Sequence, residues 1–388
     1  MSSDTFRGYR RPDGSVGVRN HVVVIPSCGC ALHAAAQIAA RVAGSVLLGY
    51  DEGCGATQHD IDLGATWLAQ YGRHPNVVGT LVVSLGCETL DAADLTRRIA
   101  QGWAPVELLV IQQEGGTRRT IERGAEIVRG MVAGAGGYRA EPCPASALTV
   151  GLECGGSDAT SGMAANPAMG AFSDLLVAQG ARVILAETSE LLGADHILTG
   201  HAATPQVACR LTETLEACEA FYKATGEDFM GKQPAPGNVM GGISTVEEKA
   251  LGDALKGGSS PIVDVLEYGQ APRLPGLSFM DTPGNDPLSV SGLVAAGCQV
   301  VAFTTGRGNP MGNPIAPVIK LTGNAGTFAR MGADMDLDAS PIISGEASIA
   351  QVGRRLYDLC LEVASGRITA AEATGHHEFK LLRQGVVF

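Results

Sequence analysis

Three segments in the first third of the chain share one pattern that decides the fold: VVVIPSCGC at residues 22–30, VLLGYDEGCG at 46–55 and TLVVSLGCE at 80–88. Each begins with a short run of aliphatic residues that predicts a buried strand, and each continues into glycine and cysteine. A fourth strand is predicted at 107–111. The intervening stretches predict helices at 31–42, 60–71, 90–101 and 118–132. Strands that alternate with helices of this length predict a parallel sheet in an α/β domain.

The second half of the chain repeats this style less regularly. The clusters MVAGAGGY and EPCP, within residues 131–144, predict a domain boundary. Beyond it, strands are predicted at 148–152, 181–186, 261–265, 300–305 and 318–321, and helices at 205–224 and 349–364. Two long loops rich in glycine, proline and asparagine, 231–242 and 280–287, are predicted to be functional, because long loops in compact domains usually are.

Composition excludes several classes of protein. The 40 acidic residues outnumber the 28 basic residues and give a net charge of −12, which disfavours nucleic acid and anionic membrane surfaces as partners. No segment approaches the roughly 18 apolar residues of a membrane span, and the N-terminus lacks the apolar core of a secretory signal. We therefore expect a soluble cytoplasmic protein, in which the ten cysteines do not form a disulfide framework.

Cysteine follows three consecutive predicted strands. Because the carboxyl ends of parallel strands meet at one edge of a sheet, we expect Cys30, Cys54 and Cys87 to lie together. Three thiolates at one point can hold iron or an iron–sulfur cluster. An open position on the metal would polarise a hydroxyl or carboxylate of the substrate. Cys28 could replace Cys30, and plain core packing is the alternative for any of these cysteines.

Polar residues of the second half also follow predicted strands. Asp158 closes the segment GLECGGSD, where it is a candidate proton carrier or a helix cap, and Glu187 ends the strand at 181–186. Lys249 remains after two overlapping capping-box patterns at 244–248 and could pair with a substrate carboxylate. Arg307, in TTGRGNP, is placed for bidentate carboxylate binding or for a surface ion pair. No Walker A or strand-anchored GxGxxG motif is present, so nucleotide chemistry has no support.

Long motifs in one order make the chain resemble the altronate and galactarate dehydratase family. They are GYRRPDGSVGVRN (8–20), DEGCG (51–55), HPN (74–76), SLGCE (84–88), GLECGGSD with SG and ANP (151–167), GGISTVEEKALG (241–252), KGGSSPIVDVLEYG (256–269), PGND (283–286), AAGC (295–298) and TGRGNPMG (305–312). The resemblance implies a Rossmann-like parallel-sheet domain at 1–140, followed by a larger α/β domain at 144–388. It further implies a lyase acting on a hydroxylated carboxylic acid, with ferrous iron as the usual cofactor.

The resemblance also implies partners. Single-chain family members begin with a small β-rich domain, and this sequence starts where that domain would have ended. We expect a separate small subunit to supply it, as in two-subunit relatives, or the chain to work without it. We further expect a homo-oligomer.

The expected reaction removes water from a sugar acid such as altronate, a 2,3-dihydroxy acid, to give a 2-keto-3-deoxy acid. In this hypothesis Cys30, Cys54 and Cys87 hold the iron, Arg307 and Lys249 bind the substrate carboxylate, and Asp158 or Glu187 moves protons. His59 and His196 are reserve acid–base candidates. A sulfo-lyase that releases sulfite from sulfolactate is the second hypothesis, and a non-catalytic subunit or metal-storage scaffold is the third.

Overall fold

The structure is a computed structural model that describes residues 4–226 and 233–387. The chain divides into two compact units. The described residues of the larger unit are 4–6, 144–312 (apart from the gap) and 317–376, and those of the smaller unit are 7–143, 313–316 and 377–387.

The strands of the described chain are β1 (Thr5–Arg10), β2 (Val16–Gly17), β3 (His21–Pro26), β4 (Ser45–Leu47), β5 (Val77–Ser84), β6 (Val106–Val110), β7 (Glu141–Pro144), β8 (Thr149–Cys154), β9 (Arg182–Leu185), β10 (Ile262–Leu266), β11 (Gly276–Met280), β12 (Val300–Thr304), β13 (Val318–Thr322) and β14 (Leu337–Asp338).

The α-helices are α1 (Gly29–Ala40), α2 (Gln58–Gly72), α3 (Ala92–Ile99), α4 (Thr117–Ala135), α5 (Asn166–Ala178), α6 (Asp195–Gly200), α7 (Pro205–Ala224), α8 (Pro236–Met240), α9 (Val246–Ala254), α10 (Asp286–Ala295), α11 (Ala325–Met331), α12 (Ile349–Ala364) and α13 (Ala370–Thr374). A π-helical turn at Ser161–Ala165 precedes α5. Within residues 4–226 and 233–387, no helix is both long enough and apolar enough to cross a membrane.

The smaller unit is built on a four-stranded sheet in the order β4-β3-β5-β6, with every neighbouring pair parallel. Val22 and Val24 of β3 pack with Leu81 of β5, Ile38 of α1 and Val128 of α4 in a fully buried core. The predicted α/β fold of this region is confirmed. The strand predicted at 46–50 is β4, which ends three residues earlier because the Tyr50 amide donates to the carbonyl of Leu48 and closes a γ-turn.

The larger unit is built on a seven-stranded parallel sheet in the order β10-β11-β9-β8-β12-β13-β14. The first strand of this sheet in the chain, β8, lies at its centre. The chain then adds β9, β10 and β11 on one side and crosses to β12, β13 and β14 on the other. In such a sheet the ligand crevice lies outside the carboxyl ends of the strands where the winding reverses, which here means β8 and β12. The α/β fold class predicted for the second half is confirmed. A third, three-stranded sheet has the order β2-β1-β7.

Candidate active site

A cavity of about 340 Å³ lies in the larger unit, where segments following β8, β9, β11 and β12 come together. The lining side chains that carry chemistry are Cys154, Glu187, Glu190, Lys249, Asp286 and Arg307. The close approach of these segments requires glycine at position 155, because a β-carbon there would lie 2.4 Å from Oδ2 of Asp286. The cavity therefore gathers acidic and basic groups at the edge where this type of sheet binds ligands.

Glu187 is the buried carboxylate at the end of β9. Among the described residues it is the one non-glycine residue with a left-handed backbone, at φ 75°, a conformation that costs of order 1–3 kcal/mol and is concentrated at functional sites. Its amide donates to Oγ1 of Thr282 at 2.7 Å, which holds that backbone in place. Its Oε2 accepts from the amide of Cys154 at 2.8 Å and from Nζ of Lys256 at 2.6 Å. Its other oxygen, Oε1, has no hydrogen-bond partner among the described residues and remains able to accept a proton.

Lys256 is fully buried next to the cavity. Its Nζ also lies 2.8 Å from Sγ of Cys154, which in turn lies 3.4 Å from Oδ1 of Asp253. Burial lowers the pKa of Lys256, but the acidic groups Cys154, Glu187 and Asp253 around it raise that pKa by more, so the side chain is an ammonium. Burial raises the pKa of Cys154 well above its usual range, so this thiol keeps its proton and can donate it towards Asp253.

Glu153, Glu187 and Asp286 form a carboxyl cluster in which one oxygen of each residue lies within 4.8 Å of the others. Burial, together with Glu187 and Asp286, raises the pKa of Glu153 well above its usual range. Its Oε2 accepts from Ser289 at 2.6 Å, and its buried Oε1 has no partner in the described part of the chain. Burial and the charge of Glu187 raise the pKa of Asp286 to about 6.

Two features show what this cluster can do. Carboxyl groups this close cannot all ionise, so the cluster stores protons. The ammonium of Lys256 lies 2.6 Å from Glu187 and already supplies a positive charge to this carboxylate. A divalent cation bound by the cluster would have to lie beside that ammonium. The arrangement therefore fits acid–base chemistry better than metal binding.

The two predicted carboxylate-binding cations both line the cavity. Arg307 follows β12, its amide donates to the carbonyl of Gly156 at 2.8 Å, and its guanidinium has no partner in residues 4–226 or 233–387. Lys249, on α9, forms an ion pair with Glu190 at the cavity wall. The structure thus brings Arg307, Lys249 and Glu187 together around one space.

Asp158 has a different position. Its Oδ1 accepts from the amides of Thr160 and Ser161, at 2.9 and 3.2 Å, and from the Thr160 hydroxyl, while Oδ2 accepts from Nδ2 of Asn324 at 2.7 Å. It lines a smaller neighbouring space of about 40 Å³ and does not line the main cavity. These contacts hold the turn that leads into the π-helical segment, which corresponds to the capping alternative.

The three predicted thiol ligands all lie in the smaller unit and are exposed free cysteines. Cys30 lies in the first turn of α1, Cys54 follows β4 and Cys87 follows β5, whereas Cys28 is buried. Contacts between their loops connect the three segments. The carboxylate of Glu88 accepts hydrogen bonds from the hydroxyls of Ser27 and Ser84, and the amide of Leu90 donates to the carbonyl of Gly53 at 2.9 Å.

The donor chemistry at this thiol edge, defined as Cys30, Cys54 and Cys87, suits iron, because thiolates are the ligands of iron–sulfur clusters. Sulfur atoms around a single tetrahedral ion lie about 3.8 Å apart. The carboxyl cluster is the one set of three His, Cys, Asp or Glu ligand atoms within 4.8 Å in the described part of the chain, so the thiols are not spaced for one ion.

The two reserve histidines lie outside the cavity wall. His59, in the smaller unit, lies on α2 with Nε2 3.3 Å from Oε1 of Gln384. His196 lies on the short helix α6 of the larger unit.

Sequence reasoning missed Glu153, Lys256 and Asp286 as site residues. Asp286 lies in the quoted motif PGND, and the strand-end rule would have selected it if β11 had been recognised. Glu153 is the penultimate residue of β8, and nothing in the local sequence distinguishes it from other acidic residues. Lys256 lies in a 3₁₀ turn at Leu255–Gly257, and no local pattern predicts that its side chain is buried.

A doubly wound sheet with a cavity lined by acidic and basic side chains at its carboxyl edge defines an α/β protein with a candidate active site. Comparison with known proteins places this chain within that class. Residues 8–136 match the family model "D-galactarate dehydratase/Altronate hydrolase, second domain", and residues 145–387 match "D-galactarate/Altronate dehydratase, C-terminal". The chain belongs to the D-galactarate/altronate dehydratase family, and the expectation of an enzyme from this hydro-lyase family is confirmed.

Relatives named for different reactions are similar over nearly the whole chain. Altronate dehydratase of Bacillus subtilis is 34% identical over 98% of this chain and 78% of its own length. Galactarate dehydratase (L-threo-forming) of Escherichia coli is 36% identical over 94% of this chain and 73% of its own. The (2R)-sulfolactate sulfo-lyase subunit beta of Chromohalobacter salexigens is 38% identical, over 99% of this chain and 98% of its own.

Proposed function

We propose that this chain dehydrates a 2,3-dihydroxy sugar acid, such as altronate or galactarate, to a 2-keto-3-deoxy acid. The observation that carries the proposal is the cavity itself, where Glu187, Asp286, Lys249 and Arg307 line one space in a member of this family. The names of the altronate and galactarate dehydratases support the choice of substrate class.

The residues of the cavity divide the reaction between them. Arg307 and Lys249 bind the substrate carboxylate, because two cations stabilise the negative charge that grows there as the α-proton leaves. Glu187 accepts that proton on Oε1. Asp286, whose pKa is raised to about 6, holds a proton that it can give to the departing β-hydroxyl. The electron pair of the C–H bond becomes the C=C bond, the C–O bond breaks, and water leaves. The enol product then tautomerises to the keto acid.

We propose iron as the cofactor, held by the thiolates of Cys30, Cys54 and Cys87. When bound, it would supply Lewis acidity. The exposure of all three thiols and the contacts that tie their loops together support this assignment.

The iron proposal is tested on protein purified without oxygen. We expect iron and acid-labile sulfide in the native chain and loss of both from a Cys54→Ser variant. Cys209→Ser is the matched control, because Cys209 is also an exposed thiol but lies on α7 of the larger unit. Retention of iron and sulfide by Cys54→Ser, or their absence from native protein reconstituted with ferrous iron and sulfide, would refute the ligand assignment.

The sulfo-lyase reaction is the second candidate function. The relative named for it, a subunit beta, is 38% identical and matches over 98% of its own length. The same abstraction of the α-proton would then expel sulfite instead of water. That name also supports an assembly of more than one kind of subunit, and we propose that a separate small subunit joins this chain.

One experiment separates the two functions. The purified chain, alone and with a candidate small subunit, is incubated with altronate, galactarate and (2R)-sulfolactate, and keto acid and sulfite are both measured. We expect keto acid from an aldonate or aldarate with no sulfite. Sulfite release from sulfolactate alone would establish the second candidate, and no product from any of the three acids would refute both. Light scattering on the same samples tests the proposed homo-oligomer.

A further inference from the structure

We propose that Lys256 is a positioning residue that assigns the roles within the carboxyl cluster: its ammonium keeps Glu187 ionised as the base, while Glu153 and Asp286 hold protons. This inference extends the proposed function and depends on it only for the role of Glu187 as the catalytic base. Its structural content, which carboxyl group is ionised, does not depend on the substrate.

The geometry singles out Glu187. Nζ of Lys256 lies 2.6 Å from Oε2 of Glu187, and the amide of Cys154 adds a second donor to the same oxygen at 2.8 Å. Hydrogen bonds to a charged carboxylate favour its ionised form. Glu153 receives one neutral hydroxyl donor, from Ser289, and Asp286 receives only neutral amide donors, from Asn309 at 2.6 Å and from its own backbone. One cation is thus directed to one of the three carboxyl groups.

The titratable groups facing Glu187 come from every element packed around it. They are Glu153 and Cys154 on β8, Lys249 and Asp253 on α9, Lys256 in the turn after α9, and Asp286 on α10. Lys249 forms its ion pair with Glu190, and the positive group in contact with Glu187 is therefore Lys256. Without it, Glu187 would have no positive group in contact and would lie among the acidic side chains of Glu153, Asp253 and Asp286.

This arrangement explains why a fully buried lysine lies behind an open cavity. Lys256 does not line the space where substrate binds, so it acts through Glu187. Lys256 contacts Oε2 of Glu187, so Oε1 stays available to accept the proton of the substrate. A buried ion pair is in general weak evidence that the pair stabilises the fold. The Lys256–Glu187 pair is therefore better explained by a role in setting the charge of Glu187.

The first test follows activity against pH in a Lys256→Met variant, which keeps the apolar bulk of the side chain. We expect kcat at pH 7 to fall by about 100-fold or more, since an acid–base group contributes about that much. We also expect the acidic limb of the kcat profile to move up by at least one pH unit, with KM changed by less than about threefold. Lys320→Met is the control, because Lys320 is an equally buried lysine on β13 that does not line the cavity. It should leave the position of the limb unchanged.

The second test does not need turnover. In Lys256→Met the unpaired Glu187 should bind a proton more tightly in the folded than in the unfolded state. The midpoint of urea unfolding should then fall, relative to the native chain, as the pH rises from 5 to 8. The double variant Lys256→Met/Glu187→Gln should lose that extra dependence, because no carboxylate remains to be ionised.

Three results would overturn the inference: an unmoved acidic limb in Lys256→Met, extra pH dependence that persists in the double variant, or borohydride trapping of substrate carbon on Lys256, which would make this lysine a nucleophile. Absence of turnover by the native chain would refute the proposed function, and the unfolding test would still decide the inference.

Discussion

Asp286 shows how the surroundings of one residue create chemistry. It opens α10 beside Gly155 and accepts a hydrogen bond from Asn309, and it lies half-buried among other acids at the cavity. Its pKa of about 6 lies above the ordinary value of 3.8, mainly because of burial. The group therefore titrates near neutral pH, where a proton carrier is useful.

The pKa of Asp286 predicts how stability changes with pH. The folded chain holds this proton more tightly than the unfolded chain, so the contribution is favourable below about pH 4 and is lost as pH rises through about 6. We expect the difference in unfolding free energy between the native chain and Asp286→Asn to fall by about 2 kcal/mol between pH 4 and pH 7. Urea unfolding at both pH values measures it. A difference that does not vary with pH would contradict the shifted pKa.

Arg307 should act mainly on binding. Arg307→Gln removes the cavity's unpaired guanidinium, and a charged hydrogen bond of about 1.5–3 kcal/mol corresponds to a rise in KM of roughly 10- to 100-fold. Steady-state kinetics with the accepted acid measure it. Arg273→Gln, at an exposed arginine of the same unit that does not line the cavity, is the control and should change KM by less than about twofold. An equal effect of both substitutions would mean that only net charge matters.

At the scale of the element, local pattern was sufficient for many strands and helices. The predicted helices at 205–224 and 349–364 match α7 and α12 at both ends, and a capping threonine or serine directly before each helix fixes where it begins. Strand β11 was missed because its five residues follow a proline and begin with glycine, a pattern typical of a loop. The register with β9 that makes it a strand is a tertiary contact.

The carboxyl cluster could not be predicted for the same reason. Its members come from β8, from the end of β9 and from α10 after β11, and only the sheet order places these segments side by side. The rule that side chains after strands share an edge did place Glu187 and Arg307 correctly at one cavity. It did not select Asp286, because β11, the strand that precedes this residue, was not predicted.

The cap of α9 gives a prediction about an element. Thr245 accepts from the amide of Glu248, and Glu248 accepts in return from the amide and hydroxyl of Ser244. Thr245→Ala should lower the unfolding free energy by about 1 kcal/mol. Because α9 carries Lys249, KM should also rise. Chemical denaturation and kinetics measure the two effects, and a variant as stable as the native chain would show that the cap contributes nothing.

At the scale of the whole molecule, the chain passes more than once between its two units. Residues 313–316 and 377–387 belong to the smaller unit, although they follow much of the larger unit in the chain. Within the smaller unit, the amides of Gln384 and Gly385 donate to the carboxylate of Asp60, and the ring of Phe379 packs edge-on against Tyr71. The predicted domain boundary at residues 140–144 does not include these two later segments of the smaller unit.

Truncation after His376 should therefore weaken the smaller unit. Loss of two hydrogen bonds to a carboxylate and one aromatic pair should lower its unfolding free energy by about 3 kcal/mol or more. Both tryptophans, Trp67 and Trp103, lie in this unit, so their fluorescence reports its unfolding. An unchanged fluorescence midpoint in urea would contradict the contribution of the terminal segment.

The left-handed backbone at Glu187 has a consequence for how such sequences diverge. Glycine or asparagine would relieve the strain at that position, so a lineage freed from the need for turnover should drift towards one of them. A glutamate retained there marks a chain still under selection for its chemistry. The residue at position 187 can therefore be used to distinguish active enzymes from inactive descendants when related sequences are compared.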